Sequence, residues 1–215
     1  MRYMELVATT TATNGSGGTL DLVGTWYTMG STGRWPQVVN LWECVNGWSG
    51  WQELMERTNL RRTQTPELEE WWRAALSVRT GGFDRLLSST LGSPSLAELR
   101  SGGPRASVFV HELSRCRPGA APDYLAAVNE IWKPVRIEFG HEAVGFYEVL
   151  LTDTEVITIW ATSPEAHCQM MAAEVDESDE RIKQWRIIAR EFLTNWREEL
   201  MTPYPSTILS AGDSL

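Results

Sequence analysis

Hydrophobic and polar positions along the middle of this chain alternate, then cycle with a helical period, then alternate again. Residues 107–113 alternate as a strand and run into a Pro118-Gly119 turn. Residues 123–139 shift to helical spacing, with a kink expected at Pro134, which lacks an amide donor. Residues 143–151 and 155–162 alternate as two strands around a Thr152-Asp153-Thr154 turn, and 164–174 reads as a helix. Residues 176–201 read as one long helix, because Ile182, Trp185, Ala189, Phe192, Trp196 and Leu200 follow spacings of three and four. Its acidic start and later arginines suit the helix dipole, and Pro203 and Pro205 stop it. Residues 206–209 are a candidate last strand.

The front of the chain has a similar rhythm in worn form. Residues 2–11 read as the end of a helix, 14–18 as a Gly-rich loop, and 20–29 as a strand interrupted by Gly24. Residues 38–44 form a second strand, and 48–60 a helix with Trp51, Leu54 and Met55 on one face. A polar loop at 59–65 leads to a helix capped by Thr65-Pro66, with Leu68, Trp71, Trp72, Ala75 and Val78 along its stripe. From 88 to 105 the composition turns to Ser, Gly and Pro, with one short helix at 96–99.

The two halves can be laid over one another. Tyr3 falls on Tyr124, and Val23-Gly24 on Val144-Gly145, both 121 positions apart. Trp42 then falls on Trp160 and Trp72 on Trp185, with the offset drifting as loop lengths change. Each unit reads β-α-β-β-α, the ferredoxin-like order. The expected fold is therefore α+β, with two tandem ferredoxin-like repeats forming an intrachain α/β barrel. Residues 1–90 make the first repeat, 91–105 a linker and 106–215 the second repeat. The counterpart of residues 107–121 would fall before residue 1, so the first repeat is expected to lack its opening strand.

Gly24 with Trp26, Trp42, Pro118-Gly119, Gly145 with Tyr147, and Trp160 together resemble the NIPSNAP family of the dimeric α/β-barrel superfamily. The resemblance spans about residues 2–205. It implies a barrel of paired ferredoxin-like units, within a superfamily that includes cofactor-free monooxygenases and haem enzymes. Two departures stand out. Val110-His111-Glu112 replaces a Glu/Arg pair on the first strand, and Asn40 and Thr158 stand where a histidine is common on the third.

Composition narrows the classes. A net charge of −9 disfavours nucleic acid and anionic membrane as partners. No apolar run approaches the roughly 20 residues of a bilayer span. Three scattered cysteines, Cys44, Cys116 and Cys168, imply reduced thiols in a cytoplasm-like compartment, and a homo-oligomer stays open. Eleven tryptophans imply large apolar contacts in a core or a cavity.

Strand alternation assigns Val39, Leu41, Ile157 and Ile159 to the helices, and Val38, Asn40, Trp42, Val156, Thr158 and Trp160 to the barrel interior, joined by Trp26 and Tyr147. Such an interior would bind a small, largely apolar molecule, or it would be filled as solid core, leaving the surface to act as an interaction module. Asn40 is the candidate catalytic residue of a cofactor-free oxygenase or isomerase, polarising a substrate carbonyl; the alternative is one satisfied interior amide. His111 is a candidate ligand contact or a structural histidine, and alternation keeps it off the face of Glu112. His141 and His167 have no partner at metal-ligand spacing, so no metal site is expected, and a haem ligand among the three histidines stays open. Cys116 between Arg115 and Arg117 reads as a bystander thiol.

Overall fold

Alternation in the chain is realised as seven strands of one sheet in the computed structural model, which describes residues 2–13, 18–56 and 66–212. The strands are β1 (Leu20–Thr28), β2 (Val38–Cys44), β3 (Leu87–Ser89), β4 (Val108–Cys116), β5 (Glu142–Val149), β6 (Glu155–Thr162) and β7 (Leu193–Pro203). They lie in the order β2-β1-β7-β4-β6-β5-β3, with every neighbouring pair antiparallel. The helices are α1 (Arg2–Thr13), α2 (Gly47–Leu54), α3 (Pro66–Val78), α4 (Leu96–Gly102), α5 (Ala121–Ala127), α6 (Lys133–Glu138), α7 (Pro164–Val175) and α8 (Glu180–Phe192). A π turn, Val128–Trp132, links α5 to α6 just ahead of Pro134, where a proline interrupts the hydrogen-bond ladder. The loop expected at 14–18 lies outside the described residues except for Gly18, and the one at 59–65 lies wholly outside them, together with the Thr65 cap.

The sheet is curled. Leu41 on β2, Trp26 on β1, Phe109 on β4, Ile159 on β6 and Val149 on β5 share one buried core. Laid flat, β2 and β5 would stand roughly 24 Å apart at five strand spacings, so only a half-barrel brings them together around that inner core. Helix α4 and the chain after β7 close one end of it. Leu96 and Leu99 join the inner core with Leu209, and a capping box formed by Ser95 and Glu98 starts the helix. A second core lies outside the sheet, where Val110, Phe146, Val156 and Trp160 meet Tyr124, Trp132 and Trp185 of the covering helices. Trp132 and Trp185 stack at 5.3 Å. On the other half, Arg79 bridges Tyr3 of α1 and Trp72 of α3, its guanidinium 5.4 and 5.1 Å from the two rings. No helix among the described residues is long and apolar enough to cross a membrane.

Three expectations are corrected. The long helix stops at Phe192, and Leu193–Pro203 is strand β7, paired between β1 and β4. Trp196 and Leu200 stand four apart, a spacing that keeps two residues on one face of a helix and also of a strand. The barrel is open: β2 and β3 are the two free edges of one sheet. The faces are also reversed, with Leu41, Ile157 and Ile159 inside and Val156 and Trp160 under the helices.

Two glycines make room for the inner aromatics. A Cβ on Gly24 would stand 2.4 Å from Cη2 of Trp26, and one on Gly145 would stand 2.0 Å from the Tyr147 hydroxyl. Both glycines sit beside register shifts, between Leu22 and Gly24 and between Ala143 and Gly145. Gly24→Ala is expected to cost about 1–3 kcal/mol in chemical denaturation, the usual range for overpacking. In a Trp26→Leu background the same change should cost much less; equal costs would show that the ring does not set the constraint.

Candidate functional site

Strand β4 is bonded on both sides, so its inward residues define layers across the half-barrel. Phe109 lies level with Met201 and Ala161, next to the plugged end. His111 lies level with Glu199 and Ile159, Leu113 with Arg197 and Ile157, and Arg115 with Asn195 and Glu155. The inner core is thus apolar at the plug and increasingly charged toward the opposite end.

That opposite end holds a cleft of about 340 Å³. Leu113, Ile157 and Phe83 supply its apolar surface, and Arg34, Arg85, Arg115 and Arg197 its rim. Glu155 is the one carboxylate in the lining, and it serves both Arg85 at 3.1 Å and Arg115 at 3.4 Å. Those hydrogen bonds, Arg85 foremost, hold Glu155 below the usual carboxylate range against burial. Arg34 has no carboxylate partner among the described residues. Four guanidiniums and one carboxylate in the lining, with Glu199 beneath Arg197, leave the cleft with an excess of positive charge on a chain whose net charge is −9.

One layer deeper lies a buried pair. His111 Nδ1 stands 3.6 Å from Glu199 Oε2 and is sealed from solvent. Gln37 donates to the same carboxylate at 3.3 Å, and Arg197 lies 3.4 Å from its other oxygen. Gly33 is packed so closely that a Cβ there would meet Glu199 Cγ at 2.7 Å. The His111 imidazole, chiefly, holds the Glu199 carboxyl below its ordinary range; burial opposes this, while Arg197 and Gln37 assist. Arg197 therefore connects the rim to a buried imidazole–carboxylate pair.

A separate polar network lies on the outer face of the same strands. Arg136 of α6, fully buried, bonds Glu112 at 2.5 Å and also pairs with Glu198. Thr158 donates to Glu112, as does Trp160 Nε1 at 2.8 Å. Burial pushes the Glu112 carboxyl up, but Arg136 and these donors overcome it and hold Glu112 well down. Glu198 goes the other way, raised by burial and by the Glu112 charge despite Arg136. Nearby, His141 Nε2 and His167 Nδ1 approach to 3.4 Å. Burial first, then Arg136, pushes both imidazoles down, His141 to about 3.

The residues singled out from sequence divide between the two faces. Trp26, Tyr147 and His111 face or pack against the inner core. Burial, with the Glu43 charge from β2, raises the Tyr147 hydroxyl. Trp160 and Thr158 belong to the outer network. Asn40 is outside as well, accepting from Thr25 Oγ1 at 2.6 Å and lying 3.4 Å from the Tyr3 hydroxyl of α1. Trp42 lies level with Leu22, two residues along from Asn40 and on its face. The expected indole-lined interior with Asn40 at its centre is thus split by the sheet itself. The Cys116 thiol is raised to about 12, burial first and the Glu148 charge second, so it is an inert buried thiol. Among the described residues no three His, Cys, Asp or Glu side chains converge as metal ligands. Sequence reasoning missed the four rim arginines because they come from three strands or strand ends and one hairpin loop, with no shared spacing. The available signal was one arginine near the same end of several strands.

No family model, curated protein or solved structure matches this chain.

Two outcomes follow from the outer network. Arg136→Met strands a buried carboxylate and should cost about 3–5 kcal/mol, read by urea denaturation; adding Glu112→Gln should recover part of it. His141 stays neutral in the folded chain, whereas in the unfolded chain it takes a proton near pH 6.5. The stability from this depression is complete above that pH and is lost as pH falls toward about 3. His141→Leu should therefore escape about 1–2 kcal/mol of the loss wild type suffers between pH 7.5 and 5. A pH-independent difference between the two proteins would contradict a dry imidazole.

Proposed function

We propose that the protein binds a small molecule bearing an anionic group, carboxylate or phosphate, at the open end of the half-barrel, with the apolar part of the ligand on Leu113, Ile157 and Phe83. The observation that carries this is four arginines against one carboxylate around about 340 Å³. Guanidiniums match the oxygens of carboxylate and phosphate with paired donors, and the volume lies in the range of small-molecule sites. The apolar ligand expected from sequence thereby gains a charged head. The His111–Glu199 pair lies beneath Arg197 and supports its position from below.

The fold behind the site is read as two ferredoxin-like repeats of the NIPSNAP kind. Supporting this, β4 to β7 lie in the order β7-β4-β6-β5, the 4-1-3-2 order of such a unit. Supporting it also, Gly24 beneath Trp26 and Gly145 beneath Tyr147 are equivalent by the same 121-residue offset. Tyr124 packs on Trp185 with ring centres 5.9 Å apart, as their counterparts Tyr3 and Trp72 sandwich Arg79.

Octanoate and phenyl phosphate are suitable probes, with octanamide as the uncharged control. Titration followed by NMR should show saturable shifts at Leu113 and Ile157 with at least one anion and none with octanamide. Arg115→Gln with Arg197→Gln should weaken the anion tenfold or more while leaving the unfolding midpoint within the range of a surface change. Equal binding of octanoate and octanamide, or binding indifferent to both arginines, would remove the basis for an anion site.

A further inference from the structure

The free edge of β2 presents seven residues, Val38–Cys44, and that of β3 presents three, Leu87–Ser89. Strand β2 has no lysine and no proline, its one charge is Glu43 near its C-terminal end, and the extra residue at its register shift, Val23, belongs to β1, so residues 38–42 are left unblunted. Its inward residues Val39 and Leu41 already contribute to the inner core. By the repeat reading, β2 and β3 are the counterparts of β6 and β7. Between β6 and β7 lies β4, in register over eight residue pairs with β6 and over seven with β7. Among the described residues nothing lies between β2 and β3.

The geometry points to this gap as an acceptor for one extended polypeptide strand of the β4 type, about nine residues long, antiparallel to both β2 and β3, with alternate apolar side chains turned into the inner core. A single inserted strand can satisfy both edges at once. The sheet edge of a second copy could pair with β2 or with β3, but not with both. The direction of the strand follows from the repeat. Four residues, 117–120, carry the chain from β4 to α5, and Tyr3 of α1 is the counterpart of Tyr124 of α5. The C-terminal end of the inserted strand therefore lies beside the N-terminus of α1. This inference rests on the two-repeat reading of the fold and is independent of the anion.

A synthetic peptide with the sequence of residues 107–120, added in excess to the full chain, tests it by amide hydrogen exchange. The expected result is at least tenfold slower exchange within Val38–Cys44 and Leu87–Ser89. A spin label on the C-terminal end of the peptide should broaden the resonances of Tyr3 and Met4. The same peptide N-methylated at alternate residues keeps its side chains but loses donors, and should give no protection. Absence of protection by the unmodified peptide overturns the proposal, as does equal protection by both peptides, which would mark simple apolar adhesion. Protection that grows with protein concentration in the absence of peptide identifies a second copy as the occupant and overturns it too. Protection with broadening at Leu20 and Cys44 instead overturns the stated direction and, with it, the two-repeat reading.

Discussion

The register of β4 is the constraint on which the rest depends. It is paired on both sides along its length, and its side chains alternate between two different cores. A slip of one residue would turn His111 and Arg115 toward the helices and push Glu112 into the inner core. The buried contact between Glu112 and Arg136 opposes such a slip, because an ion without its partner away from water is far more costly than the pair. The outer ion pair therefore acts as a key to strand alignment, and the site on the opposite face inherits its geometry from that key.

The two cores divide the electrostatic work. On the outer face, the Arg136 guanidinium lies against Trp132 and Trp160 and faces two carboxylates, of which Glu198 is pushed toward its neutral form by burial and by the Glu112 charge. On the inner face, charge is concentrated at one end and faces the solvent. The field there is opposite in sign to that of the molecule as a whole. A local cluster of cations on an acidic protein is felt within about a Debye length, so it acts on groups at the cleft rather than on the molecule's long-range field.

Much of the fold was legible in the chain. Period-two alternation located β1, β2, β4, β5 and β6, and Trp26 and Tyr147, joined to the interior set, do lie on the inner side. What misled was the apolarity of both faces. When a sheet is buried on two sides, alternation sorts residues into two sets but does not say which set meets the helices. The larger indoles were assigned inward, whereas Trp160 belongs with Phe146 under the helices at 4.9 Å. Strand β7 was hidden for a related reason: Trp196 and Leu200 extend the stripe of α8 by an even step that both structures share. The candidate site was less legible than the fold. His111 was visible, but its partner Glu199 stands 88 positions away, and the rim arginines are joined only by topology.

The stopper formed by Leu96 and Leu99 gives the half-barrel a floor. With that end sealed, the inner space along the strand axis is a cup rather than a conduit. Arg115 and Arg197 stand at the end away from that floor, so closure and charge occupy opposite ends of the inner core.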